Sequence, residues 1–100
     1  MPVNLKVERM CLVAILEGEI DHHSAQNMRE KIDEAVGKMH PKLLKLDFGK
    51  VNFMDSSGIG LIMGRYKLMN YLKGDLEVVN IPPKINKIIK LSGLYRLKKR

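Results

Sequence analysis

The chain has 100 residues, the size of one domain, which leaves no room for a large two-domain enzyme. Its 18 basic and 11 acidic side chains give a formal net charge of +7, and 45% of its residues are hydrophobic, as in a folded domain rather than a disordered chain. The single cysteine, Cys11, excludes an intrachain disulfide and a multi-cysteine zinc site, and it suits a reducing cytosol. The longest apolar run, residues 11–16, is far shorter than the roughly 20 residues that a membrane-spanning helix needs.

The positive charge is concentrated at the end of the chain. Residues 1–81 hold 11 basic and 11 acidic side chains, whereas residues 82–100 hold seven basic and no acidic ones. A nucleic-acid site would join such a patch to stacking aromatic residues or a recognition helix. The chain has no tryptophan, and its only late aromatic residue is Tyr95. We therefore expect a solvated basic helix face and no direct nucleic-acid binding.

The first half of the chain predicts two strands and a helix. Residues 5–8 alternate between apolar and polar, as in a strand at a sheet edge, and residues 11–16 form a strand covered on both faces that ends at Gly18. Ser24 is the predicted N-cap of a first helix over residues 24–39, in which apolar residues recur at helical spacing until a proline blocks its continuation.

The second half repeats this alternation. Residues 43–48 read as a buried strand, residues 57–73 as a helix that ends near Gly74, and residues 76–81 as a further strand. Two prolines, Pro82 and Pro83, then begin a shorter helix with an isoleucine stripe.

Strands that alternate with helices predict an α/β fold with a mainly parallel four-stranded sheet and helices packed against it. Each helical crossover returns the chain in the same direction, whereas the first strand, joined by a tight turn, is expected to be an antiparallel edge strand. In such sheets, ligands and partners use loops at the carboxyl ends of the strands. Two predicted loops qualify, residues 18–23 and residues 49–57.

The sequence Phe-Met-Asp-Ser-Ser-Gly-Ile-Gly, residues 53–60, is the most informative stretch. Asp55 or Ser56 is the natural N-cap of the second long helix. Unpaired backbone N–H groups and the helix dipole leave a partial positive charge of about half an electron at this end, so a phosphate on Ser56 would fit the local field.

Three glycines follow within two helical turns, and each costs up to about 1 kcal/mol relative to alanine. We expect Gly58, Gly60 and Gly64 to let the helix approach the sheet or another backbone closely.

Enzyme signatures are absent from this segment. A nucleophile elbow needs a glycine two places before the serine, but Met54 precedes Ser56 and Asp55 precedes Ser57 at that spacing. A P-loop would need a lysine after Gly64, and the third glycine of a dinucleotide fingerprint is missing. Without a histidine-activated nucleophile, we expect Ser56 to be modified rather than to attack a substrate, so the protein is not predicted to be an enzyme.

The loop over residues 18–23, Gly-Glu-Ile-Asp-His-His, invites a metal or acid–base interpretation. Adjacent histidine side chains rarely converge on one ion, so we predict neither a metal site nor a cofactor. These residues can serve as polar loop and helix-capping groups, and Asp21 can also add negative charge beside the helix that begins near Ser56.

Both segments together resemble the STAS-domain anti-sigma factor antagonists, and within that family most closely the sporulation members. The resemblance also includes Gly-Arg-Tyr-Lys at residues 64–67 and Leu-Ser-Gly-Leu at residues 91–94. It spans essentially the whole chain and implies a single STAS domain over residues 1–100. The family usually continues into a final helix, which we expect to be absent here.

The resemblance implies a phosphorylation switch. In the family the phosphorylated serine directly follows the aspartate of the Asp-Ser-Ser-Gly motif, which corresponds to Ser56, with Ser57 as the neighbouring alternative. The unphosphorylated protein would bind an anti-sigma factor and release the sigma factor. That anti-sigma factor would also be a serine kinase that uses ATP, and a serine phosphatase would restore the protein. The implied partner surface consists of Asp21, His22, Asp55, Ser56, Ser57 and Gly58.

We further expect a cytoplasmic protein without a membrane span that is a monomer when free. Other roles within the family stay open, namely a general-stress antagonist, a stressosome component or a nucleotide-binding module.

Overall fold

The computed structural model describes residues 3–93 of the chain. Its elements are β1 (Val3–Glu8), β2 (Cys11–Ile20), α1 (His22–Met39), β3 (Leu43–Met54), α2 (Ser56–Tyr71), β4 (Asp75–Val79) and α3 (Pro83–Ser92). No helix within residues 3–93 is long and apolar enough to cross a membrane. The predicted absence of a final helix and the last basic residues of the chain lie outside the described residues.

The sheet confirms the predicted topology. Its strand order is β1-β2-β3-β4, with β1 antiparallel to β2 and the other neighbours parallel. Helix α1 packs against β1 and β2, and α2 packs against β3 and β4. Because α1 and α2 also contact each other, both lie on the same face, as two successive right-handed crossovers require. Helix α3 packs against β3.

The core lies between this face of the sheet and the helices. Strand β2 alternates between buried residues and partly exposed ones, so only its helix-facing side is fully covered and the prediction of two covered faces is wrong. Burying each large apolar side chain contributes roughly 1.5–3 kcal/mol. The central residues are Leu12, Ala14 and Leu16 of β2, Met28, Ile32 and Val36 of α1, Leu44, Leu46 and Phe48 of β3, and Met69 of α2.

Strand β2 does not end at Gly18. The strand continues to Ile20, and Gly18 sits within it at a φ of 84°, a left-handed conformation that glycine adopts without steric cost. Next to this residue, between Gly18 and Glu19, the register with β3 shifts. The glycine therefore marks an irregularity inside the strand and not its end.

Strand β3 also runs past its predicted end, from residue 48 to Met54. Its twelve residues oppose the ten of β2, because the register shifts twice along the pair. Beyond the first shift the buried positions are spaced by three rather than two, at Phe48, Val51 and Met54. Strict alternation is the sequence signal of a half-covered strand, so this stretch reads as a loop from sequence alone.

Helix α1 begins at His22, two residues earlier than predicted, and its N-cap is Asp21 rather than Ser24. Oδ1 of Asp21 accepts hydrogen bonds from the backbone N–H groups of His23 and Ser24, each at 3.0 Å. The backbone N–H of Asp21 in turn donates to Ser24 Oγ at 2.9 Å, which completes a capping box. These bonds, led by that from the Ser24 backbone N–H, hold the pKa of Asp21 below its usual value.

Of the three glycines in α2, only Gly58 has a packing reason. A Cβ at this buried position would overlap Cγ and Sδ of Met54, which is itself 2% exposed. A Cβ at Gly60 or Gly64 would meet no atom within 4 Å in the described part of the chain. Within residues 3–93 the expected close approach is therefore confirmed at Gly58 and not made at the other two.

We predict that Gly58→Ala lowers the free energy of unfolding by about 1–2 kcal/mol. Crowding a packed core costs about 1–3 kcal/mol, which exceeds the gain of up to about 1 kcal/mol from replacing glycine in a helix. The matched change Gly37→Ala, in α1 with nothing within 4 Å of the new methyl group, should instead raise stability by up to about 1 kcal/mol. Urea denaturation measures both, and equal effects at the two positions would contradict the assigned overlap.

We also predict that the advantage of Asp21 over asparagine as the cap depends on pH. The folded-state pKa of Asp21 lies below the unfolded value, so its charge stabilises the fold above the unfolded pKa, and this contribution is lost as the pH falls through the folded one. Wild type should therefore melt at a higher temperature than Asp21→Asn at pH 7, and the gap should shrink as the pH is lowered below the ordinary aspartate pKa of 3.8. A gap that stays constant over this range would show that charge plays no part in the cap.

Candidate functional site

The two segments singled out from the sequence meet at one edge of the sheet. Ile20 and Met54, the last residues of β2 and β3, are register partners. The backbone N–H of Asp55 donates to the carbonyl of Ile20 at 3.2 Å and ties the two chain reversals together. Asp21 and Asp55, each the next residue along the chain, therefore lie at the carboxyl ends of neighbouring strands, which are about 5 Å apart.

Asp55, and not Ser56, is the N-cap of α2. Its Oδ1 accepts a hydrogen bond from the backbone N–H of Ser57 at 2.7 Å, and its carbonyl accepts one from Gly58 at 3.0 Å. Ser56 is thus the first residue of the helix, where its side chain is exposed. Ser57 is partly exposed and Gly58 is buried.

The electrostatic setting of Ser56 suits an added anion. The first turn of a helix presents backbone N–H groups without intrahelical partners, and the helix dipole places a partial positive charge there. Helix α2 carries no acidic residue in its first turn, so this charge is offset from outside the helix, by the cap carboxylate of Asp55 and by the neighbouring Asp21. A phosphoryl group on the Ser56 hydroxyl would be compatible with the fold.

His22 and His23 occupy the first turn of α1, beside the capped end of α2. Their rings are 6.0 Å apart at an interplanar angle of 61°, and both side chains are exposed. Within residues 3–93, no group of three or more His, Cys, Asp and Glu side chains is arranged to hold a metal ion. Both histidines therefore belong to the exposed surface at the start of α1.

Sequence reasoning did not find a groove between the first halves of α1 and α2. Its volume is about 520 Å³, and it opens beside Ser57, the residue after Ser56. The polar, charged and glycine residues that line it include His22 and Arg29 from α1, and Ser57, Gly60, Gly64 and Arg65 from α2.

Arg65 lies at the bottom of this groove and is held in an ion pair. Its side chain is 8% exposed, and its Nε lies 2.9 Å from Oδ1 of Asp33 in α1. The contact lacks the direction of a hydrogen bond, and Nη1 of Arg65 has no hydrogen-bond partner among the described residues. A buried donor left in this state costs about 1–3 kcal/mol.

Burial dominates the electrostatics of this pair. Burial lowers the pKa of Arg65 and raises the pKa of Asp33, while the attraction between the two charges opposes both shifts. The sequence did carry one signal: Leu61, Arg65 and Met69 share one helical face, so the arginine occupies a position where α2 is otherwise buried and apolar.

The sequence and fold of the chain are similar to those of known proteins. The model of the STAS domain family matches residues 2–99. The anti-sigma F factor antagonist of Paenibacillus polymyxa is 36% identical over 99 residues, which cover 95% of this chain and 85% of that protein.

Two solved structures agree with this result. The anti-sigma factor antagonist SpoIIAA in its unphosphorylated form matches with a TM-score of 0.83 and 33% identity, over 95% of this chain and 84% of that one. The Bacillus cell fate determinant SpoIIAA in its phosphorylated form matches with a TM-score of 0.75 and 33% identity, over 95% and 86%. The chain therefore belongs to the STAS domain family, among the homologues of the anti-sigma factor antagonist SpoIIAA.

Proposed function

We propose that this protein is an anti-sigma factor antagonist switched by phosphorylation of Ser56. The unphosphorylated form binds an anti-sigma factor in the cytoplasm and thereby frees a sigma factor, so the protein is a regulator and not an enzyme. The anti-sigma factor is also a serine kinase that uses ATP, and a serine phosphatase removes the phosphate from Ser56. The partner surface consists of Asp21, His22, Asp55, Ser56 and Ser57, and Gly58, which the sequence also suggested, is buried behind it against Met54.

The observation that carries the proposal is the exposed hydroxyl of Ser56 on the first residue of α2. A kinase can reach this side chain without unfolding the domain, and the helix terminus tolerates the charge that is added. The likeness to SpoIIAA, whose structure is known both with and without phosphate, supports the same switch here.

Asp21 supplies fixed negative charge next to Ser56. Its Oδ1 is held by the two backbone N–H groups of the cap, so the side chain is already ordered before a partner arrives. Ordering a flexible side chain at an interface costs about 0.5–1.5 kcal/mol, and a preordered carboxylate avoids most of that cost. A basic side chain of the anti-sigma factor would complement it.

A steric and electrostatic block explains how one phosphate could abolish binding. Phosphorylation adds about −1.5 to −2 charges at pH 7. Two unit charges of the same sign about 4 Å apart repel by about 4 kcal/mol at an effective dielectric constant near 20. An anti-sigma factor that places a carboxylate opposite Ser56 would therefore bind the phosphorylated protein about a thousandfold more weakly, and salt screening would reduce this effect. No refolding of the domain is needed.

We predict that the anti-sigma kinase and ATP add one phosphate to the wild-type protein and none to Ser56→Ala. Intact-mass spectrometry measures the addition, and Ser57→Ala is the control, since it keeps the exposed hydroxyl and should still accept one phosphate. Full phosphorylation of Ser56→Ala at another residue would remove the site assignment.

We further predict that phosphorylated protein binds the anti-sigma factor about a thousandfold more weakly than unphosphorylated protein in low salt. Calorimetric titration with a non-hydrolysable ATP analogue measures this without phosphate transfer. Ser56→Asp should lose part of the affinity, because aspartate carries less charge than phosphoserine.

The control for this prediction is Asn27→Asp, which adds one negative charge at an exposed position of α1. It should leave affinity nearly unchanged. Equal retention of wild type and Ser56→Asp by the anti-sigma factor would argue strongly against partner switching.

A further inference from the structure

Two glycines lower the stability of α2, and no contact among the described residues requires a glycine at either position. Gly60 and Gly64 lie one helical turn apart on the groove side of α2, and a Cβ at either would meet no atom within 4 Å. Glycine is the least favourable residue after proline in a helix interior. Their effect on shape is to keep the groove between α1 and α2 open.

The same groove is lined by two cationic side chains, Arg29 and Arg65. Arg65 lies at its bottom with a side chain only 8% exposed, and Nη1 has no hydrogen-bond partner within residues 3–93. Arg29 stands at the rim, and no acidic side chain of the described residues lies within ion-pair distance of it. Asp33 interacts electrostatically with both Arg65 and Arg29, so one negative charge faces two positive ones and these three side chains leave a net positive charge at the groove.

We propose that the groove between α1 and α2 receives an acidic side chain of the anti-sigma factor, whose carboxylate pairs with Arg29 at the rim, above the buried guanidinium of Arg65. This inference rests on the proposed function and extends the partner surface from Ser56 along α2. The partner segment that carries the carboxylate lies against the bare backbone of Gly60 and Gly64.

Size and position favour a protein side chain over a free ion. A volume of about 520 Å³ falls in the range of pockets that hold ligands of many atoms, and it is far larger than one small anion needs. Ser57 lines the groove directly after Ser56, so a partner seated on the Ser56 hydroxyl already lies at its mouth. Arginine presents its donors in a planar fork that matches a carboxylate.

The first test fills the groove without changing charge. Gly60→Gln and Gly64→Gln should each weaken binding of the anti-sigma factor by at least about tenfold, while raising the melting temperature, because glutamine favours the helix. Gly37→Gln is the matched control: it is an exposed helical glycine of α1 with open space around it, about 12 Å along the helix from Arg29. It should also raise the melting temperature but leave affinity within about twofold.

The second test reverses charge at the rim. Arg29→Glu should weaken binding by more than about tenfold in low salt, and the loss should shrink as salt screens the charges. Lys42→Glu changes the net charge equally at an exposed position before β3, at the opposite edge of the sheet, and should have a much smaller effect. Arg65 is left intact, because removing it would leave Asp33 without its ion-pair partner.

The outcomes separate this inference from the proposed function. If wild type binds the anti-sigma factor and the two α2 glutamine variants bind equally well, the groove assignment is overturned while the Ser56 switch stands. If the glutamine variants instead abolish self-association of the protein, the groove is an interface between copies and the inference is equally overturned. If wild type does not bind the anti-sigma factor at all, both fail together.

Discussion

The parallel pairing of β2 with β3 is the constraint on which the site depends. Because Ile20 and Met54 are register partners, β2 and β3 end at the same edge of the sheet. The helix that follows each strand has an aspartate as its N-cap. Helices α1 and α2 therefore begin side by side with their positive ends together. The exposed serine, the fixed carboxylate beside it and the groove between the helices all follow from that single alignment.

Most of the fold follows from hydrophobic periodicity. Met28, Ile32 and Val36 recur every four residues and bury one face of α1, and strands separated by helices leave little choice but a mainly parallel sheet. The strand ends could not be read in the same way. Register shifts break the alternation that marks a strand, so sequence reasoning placed loops where β2 and β3 continue. Ending β2 at Gly18 makes Ser24 a plausible N-cap for α1. Because the strand continues to Ile20, Asp21 is the N-cap instead.

The candidate site was predictable in its residues but not in its shape. The Asp-Ser-Ser-Gly segment and the Asp-His-His segment are visible in the sequence, and a parallel sheet puts both at one edge. The groove depends on contacts between distant parts of the chain, above all the pairing of Arg65 with Asp33. From the sequence, Gly58, Gly60 and Gly64 each carry the same free-energy cost in a helix. Only the packed structure distinguishes the glycine that touches Met54 from the two that face open space.

The unequal lengths of β2 and β3 make this junction sensitive to spacing more than to residue identity. Twelve residues of one strand run beside ten of the other, and the surplus brings Asp55 level with Asp21. Deleting one residue from that surplus would pull Ser56 back by about 3.3 Å along the edge and turn the neighbouring side chains to the opposite face. Exposed side chains along the surplus, such as Asn52, can therefore be exchanged at little cost, whereas insertions and deletions are better accommodated in the turns at the far edge of the sheet.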